Sequence, residues 1–324
     1  MPATFTPTQS SAAAPDQTNR PAALSADDVA ERARRVGGVA RLYGTAALRA
    51  FEQAHIAVIG IGGVGSWVVE ALARSAIGQL TLIDLDHIAP SNTNRQIHAL
   101  EGNYGRAKVS AMAERIALID PQCKVIEIED FAEPDNFDAL LSGGFDYVID
   151  AIDSVRTKTA LIAWCVARGQ PIITVGGAGG QLDPTRIRID DLTQTIQDPL
   201  LSKVRAGLRK QYGFARGAKV KFKVPAVYSD EPLIYPNAAP TEMGAAVADG
   251  MAVAAPDPLA DPDAAAATQP DVALSQGPVG LNCAGFGSSV CVTAGFGFAA
   301  AAYVLRTLAA QANKTNAATA GISR

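Results

Sequence analysis

Five short runs of apolar and β-branched residues, HIAVIG, QLTLID, CKVIEIED, FDYVID and PIITV, recur along the first part of the chain. Each is long enough for a strand and too short for a helix. Longer stretches with a helical period lie between them, over 106–119 and 154–168. Continuous apolar runs mark strands covered on both faces, and their alternation with helices is the pattern of a parallel sheet. The expected fold is therefore α/β: a Rossmann-like, mostly parallel, doubly wound sheet with helices on both faces. Ahead of the first strand, 27–51 reads as two short helices.

The pattern loosens past residue 180. TRIRID reads as a strand, 199–212 as a basic amphipathic helix, and VKFKVPAVYSD as an extended segment interrupted by proline. Around AAPDPLADPDAAAATQPD the chain has too few large apolar residues to offset its ordering entropy, so 245–276 is expected to be a mobile insertion. The uncharged stretch 281–305 is long enough to span a bilayer, but glycines and hydroxyls dilute it. A buried terminal helix beside the sheet is the plainer reading, with membrane association the alternative. The division that follows is a 1–24 disordered tail, a 25–180 core, a basic 181–244 part, the 245–276 insertion, a 277–312 strand and apolar helix, and a 313–324 tail.

Composition narrows this little. Of 324 residues 48% are hydrophobic and 19% charged, which is ordinary for a globular protein, and a net charge of −4 gives no bulk attraction to nucleic acid. The start of the chain lacks the pattern of a secretory signal. Cys123, Cys165, Cys283 and Cys291 show no C-x-x-C pairing, so neither a disulfide framework nor a structural zinc is indicated and the reducing cytoplasm is the default.

The chemistry begins at Gly60, Gly62, Gly63 and Gly65, a G-x-G-x-x-G loop directly after a strand and opening a helix. There backbone amides can face phosphate oxygens. Asp84 closes the second strand, where a carboxylate accepts from ribose hydroxyls. These features serve a nicotinamide enzyme and a nucleotide-triphosphate enzyme alike. Asn92, Arg95 and Lys108 favour the second, because two cations and an amide suit a departing pyrophosphate. Asp153, with Ser154 beside it at the C-terminal edge of the sheet, suits magnesium held by one carboxylate plus phosphate oxygens. The dull alternatives are helix caps at Asp150 or Asp153 and solvated charges at Arg95 or Lys108.

GIGGVG, DLD, SNTNRQ, GRAKV and DAIDS resemble the adenylation core shared by ubiquitin-activating enzymes and the bacterial activators of thiamine and molybdopterin sulfur carriers. The resemblance implies ATP contact by Gly62, Gly63 and Gly65, ribose contact by Asp84, phosphate contact by Asn92, Arg95 and Lys108, and magnesium contact by Asp153. Arg41 resembles the family's arginine that reaches a partner subunit's ATP, which implies a homodimer. SNTNRQIHAL, VIDAIDSVRTK, GGAGGQLDPTRI, TIQDPL and GFGSSVCVTAGFGF are similar, more narrowly, to the tRNA threonylcarbamoyladenosine dehydratase branch. The absence of paired C-x-x-C motifs suits that branch better than the sulfur-carrier activators.

That branch implies ATP-driven loss of water from a tRNA nucleoside through an acyl adenylate, with Arg95, Lys108, Asp153 and Arg41 as the catalytic set. A monovalent cation is a further candidate cofactor, and a cysteine desulfurase or sulfur acceptor a further candidate partner. Contact with a tRNA anticodon loop points to the basic cluster Lys203, Arg205, Arg209, Lys210, Arg216, Lys219, Lys221 and Lys223, with Tyr212, Phe214 and Phe222 as stacking rings. The plain alternative there is a solvated face. Cys283 reads as packing. An activator of a ubiquitin-like sulfur carrier, a nicotinamide-dependent oxidoreductase and a noncatalytic nucleotide-binding scaffold stay open as rivals; His55, His87 and His98 offer no placed hydride relay.

Overall fold

A computed structural model describes residues 26–217, 219–235 and 286–322. The 1–24 tail, the 245–276 insertion, Cys283 and the beginning of the 281–305 stretch lie outside these residues. The chain divides into two contact units, 1–38 and 39–324. The described part of the first is the beginning of helix α1 (Ala26–Tyr43), where Arg35 pairs with Glu31 one turn away at 2.6 Å.

The second unit is built on a seven-stranded sheet in the order β3-β2-β1-β4-β5-β7-β6. The strands are β1 (His55–Ile59), β2 (Gln79–Ile83), β3 (Lys124–Ile128), β4 (Tyr147–Asp150), β5 (Ile172–Val175), β6 (Ile187–Asp191) and β7 (Pro225–Ser229). All neighbours are parallel except β6 and β7. Ile59 aligns with Ile83 on one side and with Asp150 on the other, so β1, β2 and β4 end level. The order in which the chain adds strands reverses between β1 and β4, which are parallel. The level ends therefore open on the crevice where α/β sheets bind ligands.

Alternation along β1 sends Ile56 and Val58 to one core and Ala57 and Ile59 to the other. The first core is covered by α2 (Thr45–Gln53), α3 (Gly65–Arg74), α4 (Lys108–Ile119) and the terminal helix α8 (Val290–Ile322). The second is covered by α5 (Phe137–Leu140), α6 (Val155–Arg168) and α7 (Pro199–Gln211). The doubly wound α/β expectation is met. The less regular later part adds β6 and β7 to the same sheet.

Two local signals explain placements in that later part. Asp198 accepts from Leu201 N at 2.9 Å and precedes Pro199, so TIQDPL starts α7 with a cap and a first-turn proline. Helix α8 buries Val292, Phe296, Ala300, Val304, Leu305 and Leu308 and packs on α2 and α3. It is long and apolar enough to cross a membrane by length and composition, yet 50% of that window is buried inside the protein. It also runs on to Ile322, through most of the expected 313–324 tail.

Candidate active site

At the end of β1 the backbone turns through Gly60, with φ +86°, and a methyl there would come within 2.8 Å of the Ala151 carbonyl oxygen. A methyl on Gly65 would run into the carbonyl oxygen of Gly60. Glycine at these two positions lets the loop turn and α3 close onto the strand. Gly62 has nothing nearer than Gln96 Nε2 at 3.8 Å, and Gly63 lies under the stem of Arg95, whose Cγ and Cδ would sit 3.3 Å from an added methyl.

The loop is tied to the second strand. Asp84 accepts from Ile61 N at 2.6 Å and from Asp86 N at 2.8 Å, and Lys108 Nζ stands 3.8 Å from Asp84 Oδ1 and 2.7 Å from Asp86 Oδ2. Burial pushes the Asp84 carboxyl above its usual range, against the pull of Lys108 and the two N–H groups. From the other direction, His98 Nε2 lies 2.9 Å from the Ile61 carbonyl oxygen.

Arg95 lies in the segment after a 3-10 turn at Pro90–Asn92. Its Nη1 donates to Ser91 O and to Asn94 Oδ1, both at 2.9 Å, while Trp67 Nε1 donates to its carbonyl at 3.0 Å. Asn92 spends its carboxamide oxygen on Ala89 N, at 2.9 Å. Asn94 Nδ2 reaches Ser288 O at 3.1 Å, which joins this segment to the entry of α8.

Beyond β4, Asp150 and Lys158 form an ion pair at 2.7 Å with both side chains 0% exposed. Thr174 Oγ1 donates to the same carboxylate oxygen at 2.7 Å, and Asp150 Oδ1 accepts from Ile152 N at 3.1 Å. Asp150 is thus a buried anchor for the turn. The cap of α6 is Ser154, whose hydroxyl accepts from Thr157 N at 3.4 Å. Asp153 is half-buried in that turn. Among the described residues no three His, Cys, Asp or Glu side chains gather into a metal cage. A lone carboxylate beside a phosphate loop fits magnesium, which is commonly bound by one or two carboxylates together with substrate phosphates.

The structure therefore brings Gly60, Gly62, Gly63, Gly65, Asp84, Arg95 and Lys108 together, with the Ala151–Ser154 turn against Gly60. Arg41 is exposed on the last turn of α1. The basic cluster divides: Lys203, Lys210, Arg216, Lys219, Lys221 and Lys223 are exposed and Arg209 is half-buried, 5.5 Å from the Phe222 ring. Arg205 is a correction. It is 3% exposed and its Nη1 donates to the carbonyl and hydroxyl oxygens of Thr195, so it is a core residue of α7. Phe222, 7% exposed and edge-on to Phe214 at 4.9 Å, is likewise no open stacking surface. Trp67, His98 and Lys158 hydrogen-bond to the backbone carbonyls of Arg95, Ile61 and Asp150, and sequence reasoning missed these links. His98 lay inside SNTNRQIHAL and Lys158 inside VIDAIDSVRTK, but nothing in the spacing told which backbone atoms they hold.

A phosphate-binding loop at the sheet's switch point, with a carboxylate and two cations on it, defines an ATP-binding protein of the adenylating class. The chain belongs to the ThiF family, whose model matches residues 34–320. Within it, the chain is 48% identical over 280 residues to tRNA threonylcarbamoyladenosine dehydratase of Escherichia coli (strain K12), covering 86% of this chain and 95% of that one. It is 48% identical to the enzyme of the same name from Haemophilus influenzae, covering 85% and 93%. The crystal structure of the E. coli dehydratase in complex with ATP superposes with a TM-score of 0.71 at 45% identity, covering 87% of this chain and 96% of that one.

Proposed function

We propose that the chain is an ATP-dependent tRNA threonylcarbamoyladenosine dehydratase, which closes the threonylcarbamoyl group into a ring through an acyl adenylate. The observation that carries this reading is 48% identity over 95% of the E. coli enzyme, a span that contains the whole glycine loop and its cations. The sulfur-carrier and nicotinamide readings have no comparable support.

In this reading the amides of Gly62 and Gly63, together with Asn92, Arg95 and Lys108, meet the phosphates. Each Asp84 oxygen accepts one backbone N–H and keeps a second lone pair for a ribose hydroxyl. The threonyl carboxylate attacks the α-phosphorus, a P–O bond forms, and pyrophosphate leaves. Arg95 and Lys108 stabilise the charge that builds on the phosphate oxygens. The tethered carbamoyl group then attacks the activated carbonyl, loses a proton and expels AMP, which carries away the carboxylate oxygen. That closure is intramolecular and favoured by effective concentration. Asp153 would hold magnesium, which supplies charge neutralisation on the phosphates when bound.

Lys203, Lys210, Lys219 and Lys221, all exposed, are the proposed contacts to the tRNA backbone, with half-buried Arg209 at their edge. Arg41, exposed at the end of α1, is available to the ATP of a second copy, and a homodimer is part of the proposal. A monovalent cation and a cysteine-desulfurase or sulfur-acceptor partner rest on the resemblance alone. The proposed compartment is the cytoplasm, and the buried half of α8 supports a core helix over a membrane contact.

The test is incubation with ATP, magnesium and tRNA bearing threonylcarbamoyladenosine, followed by nucleoside mass spectrometry and an AMP assay. Loss of one water with AMP release, abolished in Arg95→Ala and Asp153→Ala, is the expected result. An untouched nucleoside, with AMP formed only in the presence of a small protein ending in Gly-Gly, would move the assignment to a sulfur-carrier activator.

A further inference from the structure

We infer that His98 is a positioning residue for the phosphate loop: it holds the Ile61 carbonyl and thereby points the Gly62 amide at the ATP phosphates. This rests on the ATP-binding reading above and adds a residue that makes no contact with ATP itself.

The argument starts from one peptide plane. In a trans peptide the carbonyl of one residue and the N–H of the next point in opposite directions, so whatever fixes Ile61 C=O fixes Gly62 N–H. Gly62 is permissive: nothing lies within 3.8 Å of where a side chain would sit, and glycine itself resists rotation little. The orientation must come from hydrogen bonds. Ile61 receives one at each end, its N–H donating to Asp84 Oδ2 at 2.6 Å and its carbonyl lying 2.9 Å from His98 Nε2. Its side chain is fully buried in the core.

A carbonyl oxygen only accepts, so His98 Nε2 carries the proton and Nδ1 is the bare acceptor. Nδ1 is buried with no hydrogen-bond partner among the described residues, and His98 as a whole is 1% exposed. Burial first, then the Lys108 charge, lowers its pKa to about 4 despite the hydrogen bond to Ile61. The ring is therefore a neutral donor throughout the working pH range, unlike an ordinary histidine.

The test compares His98→Gln, whose amide nitrogen reaches the place of Nε2, with His98→Asn, whose amide stops at the place of Nδ1. ATP affinity is measured by calorimetry without tRNA, and tRNA affinity and the melting temperature alongside it. Loss of one hydrogen bond and exposure of an unmet carbonyl predicts an ATP Kd weaker by about tenfold in His98→Asn, with His98→Gln within about threefold of wild type and tRNA Kd unchanged in both. Equal ATP affinity in the two variants, or parallel weakening of ATP and tRNA, overturns the assignment. A second measurement follows pH: between about pH 6 and 8, where the terminal phosphate of ATP itself titrates, the ATP Kd changes in parallel in wild type and His98→Gln, and an inflection present in wild type but absent from His98→Gln also overturns it. Wild-type protein that fails to bind ATP removes the parent reading and this one together.

Discussion

Replacing Lys158 by methionine keeps an unbranched apolar stem out to Cε in α6 and removes the ammonium group. The Asp150 carboxylate, with neither partner exposed in the native pair, is then left with the Thr174 hydroxyl at 2.7 Å and the Ile152 N–H at 3.1 Å as its donors. Breaking a buried pair from one side costs about 3–5 kcal/mol, because the remaining charge stays desolvated. At about 1.4 kcal/mol per factor of ten, the unfolding constant rises between about a hundredfold and a few thousandfold. Lys158 Nζ also lies 3.3 Å from the Asp150 carbonyl, so the turn that carries Asp153 loses two of its anchors and ATP affinity falls as well. Urea unfolding followed by circular dichroism reads the first effect and calorimetry the second. Adding Asp150→Asn removes the stranded charge and should recover at least half of the lost stability. A loss under about 1 kcal/mol, or a double variant no more stable than the single one, would refute the claim that this pair is desolvated and anchors the turn.

Gly65→Ala forces the start of α3 away from Gly60 and should abolish ATP binding, whereas Gly62→Ala, whose methyl meets only Gln96 Nε2 at an ordinary contact distance of 3.8 Å, should fold with native stability; thermal melting and ATP calorimetry on the pair check this. Asp198, fully buried, has its carboxyl pushed up to about 6 from 3.8 by desolvation, against hydrogen bonds from Leu201 and Gly177 and the charges of Lys158 and Arg205. A raised acid stabilises the fold below its unfolded pKa and loses that contribution as pH rises through its folded one. Asp198→Asn should therefore gain on wild type by roughly 3 kcal/mol between about pH 4 and pH 6, read by urea unfolding at each pH. Lys203→Ala and Lys210→Ala should each lower the salt slope of tRNA binding by about 0.7–0.9, while Arg205→Ala should leave the slope alone and lower the melting temperature.

The sheet was readable because parallel strands buried on both faces are apolar without interruption, as HIAVIG and FDYVID are. The edge strands are harder for the same reason: β3 and β6 lie at the borders, their residues alternate or stay exposed, and they carry less of that signal. Strand β7 starts at a proline and pairs with β5 across the intervening strand β6 and helix α7, a separation that no local window joins. The error at Arg205 was avoidable. Leu201, Arg205 and Leu208 stand at helical spacing i, i+4 and i+7, so the amphipathic pattern already put that arginine on the buried side, while Lys203 and Lys210 fall on the other face. Counting charge across a helix without dividing its faces mixed a core residue with surface ones.

The groups proposed to touch ATP and the groups that hold the backbone around them leave different traces. Glycines, arginine and lysine at the ends of strands form a compact motif because one ligand dictates their spacing along a short stretch of chain. Their supports do not: Ile61 is held by His98 and Asp84, the Arg95 carbonyl by Trp67, and Asp150 by Lys158 and Thr174, each reaching across elements that are close only after folding. Supports of this kind are buried and directed at backbone atoms, so their energy is spent on the orientation of amides and carbonyls before any ligand arrives. A binding loop fixed from behind in this way loses little on meeting a phosphate, since its amides need no reordering. The side chains of Lys203, Lys210, Lys219 and Lys221 are exposed, and in the proposed reading they meet a flexible nucleic acid through charge and leave selectivity to the place where the nucleoside reaches ATP.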